Sequence, residues 1–288
     1  MELPAGLGGA LAFVLGACVG SFVNVVAFRL PRELSIAWPR SFCPRCERPI
    51  PAWVNIPILA FIGLRGRCLM CRQSIPFRYF LTEVSLAVAA LYLYLSFPLP
   101  NALARFVFCA ALFAASLIDF DWRIIPDAIS LPGIPLGILA AAFLEPEIGW
   151  RNSLLGVAIG GGFLFAVGEG YRLIRHREGM GMGDVKLMAM VGGFLGWPGV
   201  LFTLFVGSLL GSVGGIIVGL AGPRRAEPVT AGESPSSLTG GSLPDETGEA
   251  DEAVSILQVT VPFGPFLSLA AGIYTLFQPQ LTRWYLSG

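Results

Sequence analysis

Eight apolar runs restrict the backbone of this 288-residue chain more than any other feature of its sequence. They cover residues 7–28, 79–97, 103–118, 128–144, 154–174, 185–197, 200–221 and 257–277. Inside hydrocarbon every backbone N–H and C=O must find its partner within the protein, which leaves helices and closed barrels. Runs approaching the roughly 20 residues of a straight crossing predict helices. The expected fold is therefore an all-α polytopic membrane protein with about eight transmembrane helices. Only 13 % of the residues are charged, against about 25 % in an ordinary soluble domain.

Charge placement orients the chain. The loop from residue 29 to 78 carries Arg29, Arg32, Arg40, Arg45, Arg48, Arg65, Arg67, Arg72 and Arg78 against only Glu33 and Glu47. Basic loops stay inside, so this loop is expected in the cytoplasm. Residues 119–127, 172–184 and 223–256 then fall on the same side, and the short loops 98–101 and 145–152 outside, with both termini outside. Arg123, Arg172, Arg175, Arg177, Lys186, Arg224 and Arg225 all lie on the inward side of that layout. The first run lacks a basic stretch before it and a small-residue cleavage site, so it is expected to be retained as a span. Net charge is zero, which points to no nucleic-acid partner.

Within the first loop, Cys43-Pro44-Arg45-Cys46 and Cys68-Leu69-Met70-Cys71 form two CxxC knuckles. Four thiolates in two such pairs suit one tetrahedral zinc ion. With all four positions taken by sulfur, the metal staples a loop too small for its own core. Disulfides are the rival reading, opposed by a reducing cytoplasm. A redox CxxC is weaker, because no βαβ pattern surrounds it. Cys18 and Cys109 lie in apolar runs and read as small buried hydrophobes.

The single histidine, His176, stands among arginines and reads as a solvated or headgroup-facing residue. Carboxylates are therefore the available acid–base groups. Asp119 ends the third run and Asp184 opens the sixth, on the same side of the membrane. Brought together, they could share a proton, one acting as base toward water and the other as acid toward a leaving nitrogen. The glycines of Gly179-Met180-Gly181-Met182-Gly183 leave room for backbone to approach. The plain alternative is that Asp184 caps its helix. Asp121 is expected to be solvated or paired with Arg123, Asp127 to start a helix, and Glu83 and Glu169 to snorkel or pair. Asn24 reads as an interhelical hydrogen-bonding group, and Gly207, Gly211 and Gly215 as a packing face.

Taken in order, these segments resemble the type IV prepilin peptidase family, the GxGD aspartyl proteases of the bacterial cytoplasmic membrane. The resemblance rests on Gly20-Ser21-Phe22-Val23-Asn24 leading to Arg29-Leu30-Pro31 and on the paired CxxC loop with Asn55-Ile56-Pro57. It continues through Arg78-Tyr79, Glu83, Ile118-Asp119, Ile125-Pro126-Asp127, Gly181-Met182-Gly183-Asp184 and Pro262-Phe263-Gly264-Pro265. It implies removal of a short basic leader peptide from type IV prepilins and type II secretion pseudopilins at the cytoplasmic face, with Asp119 and Asp184 as the catalytic pair. It also implies methylation of the new N-terminus with S-adenosylmethionine. No Rossmann fingerprint marks a site for that cofactor, and its expected location is the cysteine loop.

The expected division is a first helix (1–28), a cytoplasmic zinc domain (29–78), a peptidase core (79–222), an acidic linker (223–256) and a last helix with the C-terminus (257–288). The linker departs from the family pattern. Its seven acids, two arginines and Pro/Ser/Gly content predict disorder. Two rivals stand beside this reading: a transporter with a carboxylate proton relay, which asks for mid-membrane carboxylates and repeated spans, and a silent assembly protein. The sequence leaves the oligomeric state open.

Overall fold

The computed structural model describes residues 5–51, 54–175, 181–220 and 262–286. The expectations for His176 and for the linker at 223–256 lie outside these residues. Eight helices follow in order: α1 (Ala5–Arg29), the short α2 (Leu59–Gly63), α3 (Phe77–Ser96), α4 (Leu99–Trp122), α5 (Asp127–Phe143), α6 (Gly149–Arg175), α7 (Met182–Leu220) and α8 (Gly264–Leu286). Among the described residues there is no strand, only two isolated bridges. By internal contacts the chain divides into residues 1–210 with 262–288, and residues 211–261. The described part of the second unit, 211–220, is the helical end of α7.

Among the described residues five helical segments are long and apolar enough to cross a membrane: Gly6–Arg32, Phe77–Ser96, Leu99–Trp122, Gly149–Arg175 and Met182–Ile217. The protein is an all-helical, multi-pass membrane protein. Apolar side chains such as Val14, Leu103, Phe163 and Phe205 point outward from these helices, as a lipid-facing surface requires. Cys18 belongs to that outer face of α1 and is exposed, so only Cys109 fits the expectation of a buried thiol. The sixth and seventh runs share α7, which is broken at Gly196, where φ is +69° and ψ −177°. A side chain is strained at that φ, so the break falls on glycine, with Pro198 just beyond it. The helices also run past their apolar segments. The third run ends at residue 118, whereas α4 continues to Trp122 and carries Asp119 in its last turns.

The main core gathers Phe108 and Leu112 of α4, Leu187, Met188 and Val191 of α7, and Leu267 and Ala271 of α8. Phe108 stacks on Phe194 with ring centroids 4.4 Å apart. Small residues let backbones touch, the usual device where lipid removes the hydrophobic drive between helices. A Cβ on Gly156 of α6 would lie 2.5 Å from Gly192 O of α7, and one on Gly20 of α1 would lie 2.7 Å from Glu83 Cα of α3. Gly207 meets Leu267 of α8 in the same way, but a Cβ on Gly215 would meet nothing within 4 Å among the described residues, so the expected packing face is seen at Gly207 and not at Gly215.

One buried ion pair was not legible beforehand. Arg105 of α4 meets Glu145, beyond α5, at 2.6 Å, with both side chains 8 % exposed. Its Nη1 also donates to Thr275 O of α8 at 3.1 Å, and its guanidinium lies over Phe97. Three parts of the bundle are thus tied through one cation.

Candidate functional site

Helical periodicity decides where the aspartates point. On α4 the buried positions Phe108, Leu112, Ala115 and Asp119 recur at spacings of four, three and four. Asp119 therefore ends the core stripe and is 6 % exposed. On α7, Asp184 precedes Leu187, Met188 and Val191 at the same kind of spacing. Because these two stripes pack on one another, their terminal carboxylates are brought to the same end of the core. The Asp119 charge acts directly on Asp184. Asp184 is the third residue of α7, inside the first turn, and does not occupy the cap position.

A third element completes the pair. The Asp119 carboxylate accepts the backbone N–H of Gly264, the first residue of α8. That N–H is one of the unpaired donors at a helix start, where the dipole also favours negative charge. A Cβ at residue 264 would sit 2.5 Å from Asp119 Oδ2, so any side chain there must displace that oxygen. Ile125, itself buried, underlies the site. It lies 3.0 Å from the Cβ position of Gly183 and 3.2 Å from that of Gly264. Arg123 adds a positive charge acting on Asp119.

The other aspartates are placed differently. Asp121 is two residues beyond Asp119, off the core stripe, and pairs with Arg78 of α3 at 2.6 and 2.7 Å. The expectation left Asp121 solvated or paired with Arg123; the ion pair it makes is with Arg78, while the Arg123 charge acts on Asp119. Asp127 opens α5 as expected and holds Lys186 of α7 at 2.6 and 2.8 Å. Glu169 pairs with Arg172. Asn24 donates to Tyr79 O at 3.1 Å, an interhelical bond as anticipated.

The four loop cysteines form a second constellation. Each knuckle is a tight turn with one backbone pattern, repeated at an offset of 25 residues. Cys43 N–H donates to Arg48 O and Glu47 N–H to Cys43 O; Cys68 N–H donates to Gln73 O and Arg72 N–H to Cys68 O. Glu47 and Arg72 both have positive φ. The four sulfurs lie within 4.8 Å of one another, Cys43 and Cys71 at 3.9 Å. Tetrahedral zinc at about 2.3 Å from each sulfur separates sulfurs by ~3.8 Å, so the set fits such an ion. All six cysteines are free thiols. The N–H groups of Cys71 and Met70 bring the Cys68 thiol down to about 7. At Cys71 the Gln73 N–H also pulls downward, but desolvation and the neighbouring sulfurs push it up to about 11. Four crowded thiols cannot all ionise unaided; a divalent cation removes that conflict.

Two anchors bind this loop to the helices. Arg29, buried at the end of α1, donates to the carbonyls of Ser35, Ile36, Pro39 and Arg40. Glu83 of α3 accepts Ile58 N–H at 2.7 Å.

Both constellations fall inside recognised family regions. Residues 14–97 match the bacterial peptidase A24 N-terminal domain, and residues 106–216 match the type IV leader peptidase family. A Burkholderia pseudomallei protein named prepilin leader peptidase/N-methyltransferase is 35 % identical over 301 residues, covering 96 % of this chain and 87 % of the relative. The chain belongs to the type IV leader peptidase family. Proteins of the same name from Myxococcus xanthus and Pseudomonas aeruginosa are 36 % and 33 % identical, covering 94 % and 96 % of this chain and 90 % and 94 % of those relatives. No solved structure matches it. In this leader peptidase family member the four cysteines lie in the first matched region and both aspartates in the second.

Sequence reasoning missed the working contact of Gly264 and the anchoring by Arg29. Gly264 was visible only as part of a motif, 145 residues from Asp119. The α1–α3 contact had a readable signal, since Gly16 and Gly20 stand four apart in the first run.

Proposed function

We propose that this protein is a membrane aspartyl endopeptidase that removes the leader peptide from type IV prepilins and type II secretion pseudopilins at the cytoplasmic face of the inner membrane. The observation that carries the proposal is the placement of Asp119 and Asp184 at the same end of two packed core stripes, near enough for one charge to act on the other, with the N–H end of α8 at Asp119. In this reading one carboxylate takes a proton from water as the water attacks the scissile carbonyl, and the other gives a proton to the leaving nitrogen. No covalent intermediate forms. Gly183 and Gly264 keep the approach free of side chains. The names of the relatives support the substrate class. Their second name supports N-methylation of the new N-terminus. S-adenosylmethionine would supply a methyl group on a sulfonium sulfur; transfer breaks that C–S bond, forms a C–N bond and releases a proton with S-adenosylhomocysteine.

Eight crossings fit the charge layout if α7 crosses twice around Gly196. The zinc loop at 29–78, the core at 79–222 and a last helix from 257 complete the proposed division. Zinc holds the loop structurally, since four cysteines leave no open coordination position. A proton-relay transporter fits less well, because Asp119 and Asp184 stand at helix ends and not in mid-span. The test is mass spectrometry of a prepilin co-expressed with this protein. The proposal expects loss of the leader and a gain of one methylene mass on the new N-terminus. An unprocessed prepilin beside correctly inserted protein would sink it.

A further inference from the structure

The cysteine loop holds one stretch that metal binding does not explain. Residues 49–64 carry no charged side chain, although Arg48 precedes them and Arg65 and Arg67 follow. The stretch is too short for a straight crossing of roughly 20 residues, and apolar runs of such length are buried or re-entrant segments. Near its end lies α2, with the sequence Leu59-Ala60-Phe61-Ile62-Gly63. A helix without a polar side needs cover on every side, from protein or from lipid.

Protein covers one side. Phe61 stacks on Phe80 of α3 with centroids 5.0 Å apart and meets the Phe77 ring edge-on at 6.2 Å. The other side is open. Leu59 and Ile62, one turn apart, are 66 % and 58 % exposed, and Ile56 just before the helix is exposed as well.

Contacts with two spanning helices set the depth of α2. Ile58 N–H is held at 2.7 Å by the carboxylate of Glu83, which stands ~9 Å along α3 from its start at Phe77. Gly20 of α1 packs on that same residue, and α1 continues to Arg29, ~13 Å further on. Thus α2 lies beside the first turns of α3, short of the level at which α1 ends. Its backbone meets the demand of that depth. Pro57 has no N–H, and those of Ile58, Leu59, Ala60, Ile62 and Leu64 all find acceptors within the protein. Water makes such pairing optional, whereas hydrocarbon makes it obligatory.

We infer that α2 is a re-entrant element, dipping into the leaflet on the loop side of the membrane with Leu59 and Ile62 against lipid acyl chains. Two further observations favour lipid over a protein partner. Arg48, Arg65 and Arg67, which flank the uncharged stretch, are exposed and suit the phosphates at the top of the same leaflet. The α3 turns beside α2 also send Phe77 and Leu81 outward, into the lipid-facing surface. The cysteine loop is then seated in the bilayer as well as tied to the helices. This holds whatever reaction Asp119 and Asp184 perform.

The test uses the full-length wild-type protein, so no variant has to fold. It is placed in liposomes of phosphatidylethanolamine and phosphatidylglycerol, doped with a phospholipid carrying a diazirine in the upper part of its acyl chain. After irradiation, peptide mass spectrometry should find lipid adducts on residues 54–64, as on the outward positions Leu81 and Val88 of α3. Adducts on α3 with none on residues 54–64 would overturn the inference. The labelling is then repeated in nanodiscs holding one chain, and in liposomes with excess prepilin. Adducts on residues 54–64 are expected to persist in both. Adducts present in single-chain nanodiscs but lost in crowded liposomes would make this face a contact between copies. Adducts lost on adding prepilin would make it a substrate-docking face. Either loss would overturn lipid as the occupant.

Discussion

The carboxylate of Asp119 accepts the backbone N–H of Gly264, so the end of α4 is fastened to the beginning of α8. A methyl group at residue 264 would stand 2.5 Å from Asp119 Oδ2 and must displace it. On helix propensity alone Gly264→Ala is favourable by up to about 1 kcal/mol. We expect this variant to keep its thermal stability and lose about a hundredfold in leader cleavage, the usual cost of moving a reacting group by about 1 Å. Single-turnover cleavage and thermal unfolding, measured together, separate the two effects.

The four aspartates at this end of the bundle should divide two and two. Asp119→Asn and Asp184→Asn are expected to reduce leader cleavage below detection, because each removes a proton-transfer group worth about 10²–10⁴-fold. Asp121→Asn and Asp127→Asn break exposed ion pairs with Arg78 and Lys186, each worth about 0–1 kcal/mol. They should cleave within a few fold of wild type. A prepilin gel-shift assay on all four ranks them, and an inactive Asp121→Asn would reassign the pair.

Removing one partner of the Arg105–Glu145 pair strands a buried charge. Arg105→Ala is expected to lower stability by about 3–5 kcal/mol. The double replacement Arg105→Met with Glu145→Leu should recover most of it, since no charge is left unpaired. Thermal unfolding in detergent checks both.

Metal removal should act locally. Among the described residues from 30 to 76 only Cys43 is buried, so the loop has almost no core to fall back on. Elemental analysis should find one zinc per chain. Chelation, or Cys43→Ser, is expected to open residues 41–75 to limited proteolysis first, with α4 and α7 still protected.

Much of this was readable from residues alone. The helical class followed from the run lengths. The core stripes ending in Asp119 and Asp184 obey a period visible in the sequence, as does the displacement of Asp121 from that stripe. Contacts set by tertiary approach were not readable. Nothing near Arg105 names Glu145 as its partner, and Asp119 gives no hint of Gly264. The exposure of Cys18 depends on which face of α1 meets α3, and a uniformly apolar helix does not announce its inner face.

The backbone contact of Gly20 with Glu83, together with the Asn24–Tyr79 bond, brings both ends of the cysteine loop side by side. Everything from residue 30 to 76 is thus an excursion that leaves and re-enters the bundle at one point. Closing such a span with a short turn costs little in chain entropy, which varies only slowly with length. A chain in which residues 30–76 are replaced by a short turn is expected to keep α1 in register with α3, since the Gly20 approach and the Asn24–Tyr79 bond lie within the two helices.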